Sequence, residues 1–545
     1  MSWNTPEKIK EIMLRMVACS SISGTTEEVT MAKEIHTILS EIPYFRQHPE
    51  YLRLNPIPGD AQGRYFVTAL VRGNSPKTVI MLNHHDVVGL SDYGSYQEMA
   101  LTPLELTQKI DPNILPPEAR QDWETGEWLF GRGVMDMKCG GALQIALLEE
   151  ASENAAEFDG SLLFLSVPDE ENNSAGMLGA VPQLNRMREE LGLDYAAVVN
   201  SEPADMTPDG KFNVFIGAIG KVLPMFYCVG KETHAGGSFG GINSNLLYAE
   251  VQSLLEVNAE LADMADGEAS APPTNLKTKD VKELYNVSTP AATVAYYNVF
   301  SLTRSPKEIM DKLIDLAKQA FANALTKQKR EAKRYSEITG LPEPAVPWEP
   351  KVFTYREVYE MALAAHGDKF RAHMAEYTEK WKQRKDIDER EFALQIVAEV
   401  HRFCPDRDPK IIISYAPPYY PHFRNKGETE KEKQLLKMVG NLEKFAAESF
   451  GVHFQVNRFH KGISDLSYCG LQNADDVIAM LRPNMPTWGH RYSLPLEELR
   501  RLNLPVFNVG SFGRDAHKFT ERLNMPFSFN ISPHLLKFAV TELLK

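Results

Sequence analysis

Residues 78–86 read TVIMLNHHD, an almost unbroken apolar run that ends in two histidines and an aspartate. A strand that is apolar on both faces belongs in a sheet covered on both sides, as parallel α/β sheets are. Two further runs share the pattern: 161–167 (SLLFLSV), followed by Pro168-Asp169-Glu170-Glu171, and 195–199 (YAAVV), followed by Asn200-Ser201-Glu202. A fourth strand-like run lies at 64–71 (RYFVTALV), and GGALQIALLEEAS predicts a helix from about 140 to 152. Strands alternating with helices argue for an α/β sheet. Open sheets of this kind place their ligand sites at the carboxyl ends of the strands. Charged clusters at three such ends therefore say more together than any one of them alone.

Outward from this centre, the amino-terminal segment predicts a helix capped by Thr5, with Pro6 in its first turn. Ile9, Ile12, Met13, Met16 and Val17 form its apolar face. A second helix is expected after Thr25, with Glu28 completing a capping box. From about 213 the texture changes. The alternating run KFNVFIGAIGKVLPMFYCVG predicts an antiparallel strand pair with one exposed face. A helix (about 243–262), strands (about 284–301) and a helix (about 305–328) follow, then a charged, mostly helical stretch at 329–409 broken at GLPEPAVPWEP, and the strand PKIIISYAPP at 409–418. The tail returns to α/β character, with a helix at 429–450 whose start, GETEKEKQ, reads as solvated, a strand at 505–509 and a last helix at 534–544. The expected fold class is α/β: a mixed, mostly parallel sheet with helices on both faces and an inserted α+β module. The expected division is 1–212 (first part of a catalytic domain), 213–419 (insert, with extra helices at about 329–409) and 420–545 (second part).

Composition narrows the function classes. The 545 residues amount to on the order of two to four domain-sized units. A net charge of −14 without a basic block argues against nucleic acid and anionic membranes as partners. No apolar run is long enough to span a membrane, and the first residues show no signal-peptide core. Cys19, Cys139, Cys228, Cys404 and Cys469 are scattered and odd in number, so neither a disulfide framework nor a thiolate metal site is expected, and the chain reads as cytoplasmic.

The strand-end clusters carry the chemistry. In extended chain His84 and Asp86 point to one side and His85 away, so Asp86 can orient His84 from behind, as metal-binding histidines require. GRGVMDMKCGG (131–141) brings glycines that permit close backbone approach, and Asp136, whose bland reading is a helix cap. Glu170 and Glu171 repel each other unless a cation or proton intervenes. At a strand end beside His and Asp, they suggest one ligand and one general base. Glu202 and the distant His517 complete a set of oxygen and nitrogen donors without thiolates, which suits zinc, cobalt or manganese. Five ligands with one bridging aspartate fit two metals.

In order, HHD (84–86), GRGVMDMKCG (131–140), PDEE (168–171), SEP (201–203), THAG (233–236), GISD (462–465) and AHKFTE (516–521) resemble the motifs of the M20 metallopeptidase and amidohydrolase family. That family includes carboxypeptidases, aminoacylases, succinyl-diaminopimelate desuccinylase and di- and tripeptidases. The nearest likeness is to its arginine-utilisation (RocB-type) branch. The resemblance implies a zinc-exopeptidase-like catalytic domain, with the insert acting as lid and dimerisation domain. It implies that His84, Asp136, Glu171, Glu202 and His517 hold two divalent ions, most typically zinc, with Asp136 bridging. It further implies that Asp86 orients His84, that Glu170 is the general base, and that His234 polarises the scissile carbonyl, from the partner subunit in dimeric members. Asn243 and Arg304 correspond to lid residues that contact substrate. Arg304 sits in NVFSLTR where the family's strand usually ends in Asp-x-Arg. Two insertions depart from the family pattern: 91–125, with Tyr93, Tyr96 and Pro116-Pro117, expected to form a rim over the site, and 329–409, expected to enlarge the insert.

The leading expectation is therefore a metal-dependent hydrolase of an amide or peptide bond in a small amino-acid-like substrate, with arginine catabolism as its suggested setting and a homodimer through the insert. A dipeptidase or aminopeptidase, and a catalytically silent ligand-binding member, are the alternatives.

Overall fold

A computed structural model describes residues 2–153, 155, 159–460 and 462–545. The chain separates into two units: residues 1–218, 423–471 and 497–545, and residues 219–422 and 472–496.

The first unit is built on an eight-stranded mixed sheet. Its order is Leu52–Pro56, Tyr65–Val71, Ser161–Val167, Lys77–His84, Asp194–Asn200, Val506–Asn508, Phe212–Phe215 and Phe454–Asn457. The apolar run of the opening motif occupies a central strand, parallel to both neighbours, with His84 level with Val167 and Leu82 level with Asn200. Every residue of Ser161–Val167 is buried, as both-face coverage requires. Helices Lys138–Glu153, Ala175–Glu190 and Ser532–Leu544 supply that cover. The first helix, Pro6–Ala18, has Thr5 accepting from the Lys8 N–H and buries Ile9, Ile12, Met13, Met16 and Val17. The last long helix, Glu430–Phe450, begins with a capping box between Thr429 and Glu432. Its start is less solvated than expected, because Glu432 is buried and also accepts from the Lys426 and Glu428 N–H groups.

The second unit carries a five-stranded sheet, ordered Thr274–Asp280, Ala292–Ser301, Gly220–Val229, Lys410–Tyr420 and Val352–Thr354. Its pairings are antiparallel except for the last, which is parallel. Helices Pro306–Thr339, Tyr355–Lys382 and Glu389–Arg402 are its longest, and residues 340–351 between the first two are irregular, where the proline-rich break was expected.

Several expectations are corrected. Residues 211–230 do not form a hairpin. Phe212–Phe215 joins the first unit's sheet, Gly217–Ala218 pairs with Phe423–Arg424, and Gly220–Val229 is a central strand of the second unit's sheet. The alternation in the sequence is that of a chain passing from one sheet to another. Helix Glu27–Ser40 has no Thr25–Glu28 capping box, since Glu28 instead accepts from the Gly24 N–H and from Arg64. The division falls at 219 and 422 rather than 213 and 419. Residues 472–496, expected in the closing part of the catalytic domain, belong to the second unit, where Asn484 accepts from the Arg356 N–H and the Tyr492 hydroxyl accepts from the Tyr419 N–H.

Candidate metal centre

The three parallel strands end level, and each hands its next few residues to one cluster in the first unit. His84 closes the strand Lys77–His84, and its ring Nε2 lies 3.2 Å from Asp136 Oδ1 and 3.4 Å from Glu202 Oε1. On the other side, His517 Nε2 lies 3.2 Å from Asp136 Oδ2 and 2.9 Å from Glu171 Oε1. The Asp136 carboxylate thus faces both ways, one oxygen toward each histidine. Ligand atoms of His84, Asp136 and Glu171 all lie within 4.8 Å of one another. The five metal candidates read from the sequence therefore converge as two histidine–carboxylate groups sharing one aspartate.

Backbone fit holds these groups in register. Asp136 precedes helix Lys138–Glu153, and that helix passes so close to the next strand end that a Cβ on Gly140 would stand 2.2 Å from the Ser201 carbonyl oxygen. A Cβ on Gly510 would likewise lie 2.3 Å from the carbonyl oxygens of both Ser201 and Glu202. Two glycines thus let the backbone close tightly on the peptide that carries Glu202. Of the glycines in GRGVMDMKCGG, Gly140 is thus one that close approach requires.

Asp86 is fully buried, but its role is broader than expected. The nearer acceptor for His84 Nδ1 is the Asp86 carbonyl oxygen at 3.1 Å, with the carboxylate at 3.5 Å. That carboxylate accepts from the Ser23 hydroxyl at 2.5 Å and from the Glu170 and Glu171 N–H groups at 3.1 and 3.2 Å. Asp86 therefore fixes the turn that presents both glutamates. His85 points away, hydrogen-bonds Ser166 at 3.0 Å, and is held neutral by burial, its pKa pushed down to about 3.

The charge balance of the site calls for cations. Burial opposes a charge on His84, yet Glu202, Asp136 and Asp86 outweigh it and hold its pKa well above the usual imidazole range. Hydrogen bonds to Asp136 and Glu171 push His517 up to about 10. Burial and then Asp136 push Glu171 up to about 7, against the pull of His517. Glu170 is pushed well above the usual carboxylate range by burial and by Glu202, Glu171 and Asp465, with His84 opposing. The carboxylates around His84 and His517 thus favour positive charge at both histidines. Among the described residues, Glu170 Oε1 is buried without a hydrogen-bond partner. A shared carboxylate, two imidazoles and the carboxylates of Glu171 and Glu202 are a donor set that suits divalent ions of the zinc, cobalt or manganese type.

His234, Asn243 and Arg304 lie in the second unit. His234 is exposed, and its Nδ1 accepts from the Gly236 N–H at 3.1 Å, which leaves the proton on Nε2. Asn243 caps helix Ser244–Leu255 by accepting from the Asn245 N–H. Arg304 donates to the Leu261 carbonyl at 2.7 Å and lies 3.4 Å from Asp263. Sequence reasoning assigned no role to Ser23, to Arg64, which pairs with Glu28 and Asp169 beneath the glutamate turn, or to Glu521 and Asp465. The last two stand inside quoted motifs, AHKFTE and GISD, but a buried carboxylate cannot be told from an exposed one in such strings.

The model of Peptidase family M20/M25/M40 matches residues 111–488. The chain is 37% identical to uncharacterized protein YqjN of Bacillus subtilis (strain 168) over 553 residues, covering 100% of this chain and 98% of that one. It is 32% identical to Protein RocB of the same organism over 546 residues, covering 99% and 96%. Among solved structures, the Bacillus subtilis YXEP protein, described as a dinuclear metal binding peptidase from the M20 family, aligns over 99% of this chain and 98% of its own. The TM-score is 0.50 at 10% identity, a likeness of fold.

Proposed function

The chain belongs to peptidase family M20/M25/M40, an enzyme family of metallopeptidases and amidohydrolases, and from that membership we propose that it hydrolyses an amide or peptide bond in a small amino-acid-like substrate. The observation that carries this reading is the Asp136 carboxylate shared between His84 and His517, with the unpartnered oxygen of Glu170 in the same cluster. His84, Asp136 and Glu202 would hold one divalent ion, and Asp136, Glu171 and His517 the other, with zinc the expected metal. When bound, such a pair supplies an acidified water and a Lewis acid for the amide carbonyl.

The protein's own groups do the rest. Glu170 takes the proton of the attacking water and passes it to the leaving nitrogen. Asp86 keeps the Glu170–Glu171 turn and the His84 ring in place. His234, its proton fixed on Nε2, donates to the developing oxyanion. Asn243 and Arg304 are assigned to substrate; the Nη2 of Arg304 makes no hydrogen bond among the described residues. The full-length likeness to RocB supports a substrate from arginine catabolism. The exposed edge strand Thr274–Asp280 supports a homodimer through the second unit. Free cysteines support a cytoplasmic setting, and no helix among the described residues is long and apolar enough to cross a membrane.

The test is metal analysis of the purified protein, paired with hydrolysis of N-acyl amino acids, dipeptides and arginine-related amides. About two ions per chain and metal-dependent amine release are expected. No bound metal after reconstitution and no hydrolysis would overturn the proposal.

A further inference from the structure

Residues 91–125, which the sequence marks as an insertion, reach the metal cluster by two chains of ion pairs, both inside the first unit. In the first chain, Asp92 receives two 2.9 Å hydrogen bonds from Nη2 of Arg132. The Arg132 guanidinium is 1% exposed and lies over the Tyr93 ring at 5.2 Å. Its Nη1 donates to Glu521 Oε2 at 2.6 Å, and the other Glu521 oxygen is 3.5 Å from the backbone N–H of Asp136. In the second chain, Asp122 accepts from Nε of Arg522 at 2.7 Å and from Nη1 of Arg514 at 3.0 Å. Arg522, also buried, donates to Asp515 at 2.5 Å, two residues before His517. Asp515 in turn accepts from the Thr520 hydroxyl at 2.9 Å. Asp515 and His517 both hold positive φ, 61° and 67°, a conformation that non-glycine residues keep only where surrounding contacts impose it.

The two chains differ in what they reach. The first ends on Asp136, which faces both histidines, and the second on the loop that carries only His517. Buried arginines left without their carboxylates would shift to find new partners, because an uncompensated buried charge is costly. The loop of His517 would move with Arg522.

We propose that residues 91–125 are an outer clamp on the metal cluster, in which Asp122 positions the loop of His517, and with it the half-site of Asp136, Glu171 and His517, while Asp92 positions the Asp136 that both half-sites share. This rests on the two-metal reading above. It assigns the insertion a task beyond rimming the site, and it predicts that the two metals depend on it unequally.

Cobalt(II) titration of metal-free full-length protein, followed by visible absorption and equilibrium dialysis, reads the two binding steps. Loss of an outer-shell partner commonly weakens metal affinity about 10–100-fold. Asp122→Asn should weaken one step by that factor and leave the other within about threefold, a range of under 1 kcal/mol, whereas Asp92→Asn, acting on the shared Asp136, should weaken both. In a His517→Ala background, Asp122→Asn should have no further effect on the remaining step, since its target is already gone. Far-UV circular dichroism confirms folding; should Asp122→Asn fail to fold, Arg522→Lys, which keeps the charge but loses the fork between Asp122 and Asp515, decides the matter in its place. Wild-type protein that binds two cobalt ions, with an Asp122→Asn or Arg522→Lys variant that binds both as tightly or loses both equally, or an Asp92→Asn variant that weakens neither, overturns the clamp. Wild-type protein that binds none overturns the two-metal reading instead.

Discussion

Glu170→Gln tests the chemistry most directly, because it keeps the shape of the side chain and removes its basicity. Glu170 is 7% exposed, its Oε1 has no partner, and its N–H is held by Asp86. A positioned acid–base group contributes about 10²–10⁴ in rate. Here one carboxylate carries the proton both from the water and to the leaving nitrogen, so the upper half of that range applies. A loss of about 10³–10⁴ in kcat corresponds to roughly 4–5.5 kcal/mol of transition-state stabilisation. The assay is kcat on whichever amide the substrate panel identifies, with metal content measured on the same samples. Stability provides an independent sign. Burial, Glu202, Glu171 and Asp465 push the Glu170 carboxyl upward, so in the metal-free protein its ionised form opposes folding. The native state then binds a proton more tightly than the unfolded state, and wild-type stability is lost as pH rises above the usual carboxylate value of about 4.5. Metal-free Glu170→Gln should therefore melt above wild type at neutral pH, with the gap closing toward pH 4.5. Turnover within tenfold of wild type, with both metals retained, would refute the general-base assignment.

Three further outcomes follow from the geometry. Gly140→Ala must push the Ser201 carbonyl away, so a cost of about 1–3 kcal/mol in denaturant unfolding and weaker metal binding are expected, and unchanged binding would show that the clasp on Glu202 does not matter. Burial, with Lys410 and Arg407 beside it and Asp406 opposing, depresses His401 to about 4; stability should thus fall as pH drops from about 6.5 toward 4, and His401→Gln should flatten that slope in melts across the range. Light scattering should give twice the protomer mass, and Leu276→Glu, on the exposed edge strand where Leu276 is 51% exposed, should shift the protein toward monomer; a monomeric wild type would refute the homodimer.

What could be read from the chain followed physical rules of short range. The parallel strands were legible because burial on both faces leaves their middles almost wholly apolar, and the strand ends because polarity resumes there abruptly. The convergence of His84, Glu171 and Glu202 was legible because residues on neighbouring strand ends have few other places to go, whereas Asp136, before a helix, and His517, on a distant loop, were drawn in by the ordered motifs that resemble the M20 family. The run 211–230 misled because alternation reports a strand but not which sheet it joins. Glu28 was read as a cap, since the Arg64 that draws it inward lies 36 residues along the chain. The partners of Arg304, Asp263 and the Leu261 carbonyl, lie about forty residues back and are equally invisible in the string. The segment 472–496 has a broken, π-helical and irregular path, so it offers no period to read.

The sharing of Asp136 has a consequence in time. Residues 77–202 contain His84, Asp136 and Glu202, together with the central strands Lys77–His84, Ser161–Val167 and Asp194–Asn200. Glu171, by contrast, waits 346 residues for His517. At a translation rate of about 5–20 residues per second, that wait lasts roughly 20–70 s. Through nearly all of it the chain still lacks Gly510, Glu521 and the strand Val506–Asn508, which lie against Glu202 and Asp136 in the finished fold. Both halves of the cluster therefore close together, when the last residues of the first unit fold against strands made up to about a minute earlier.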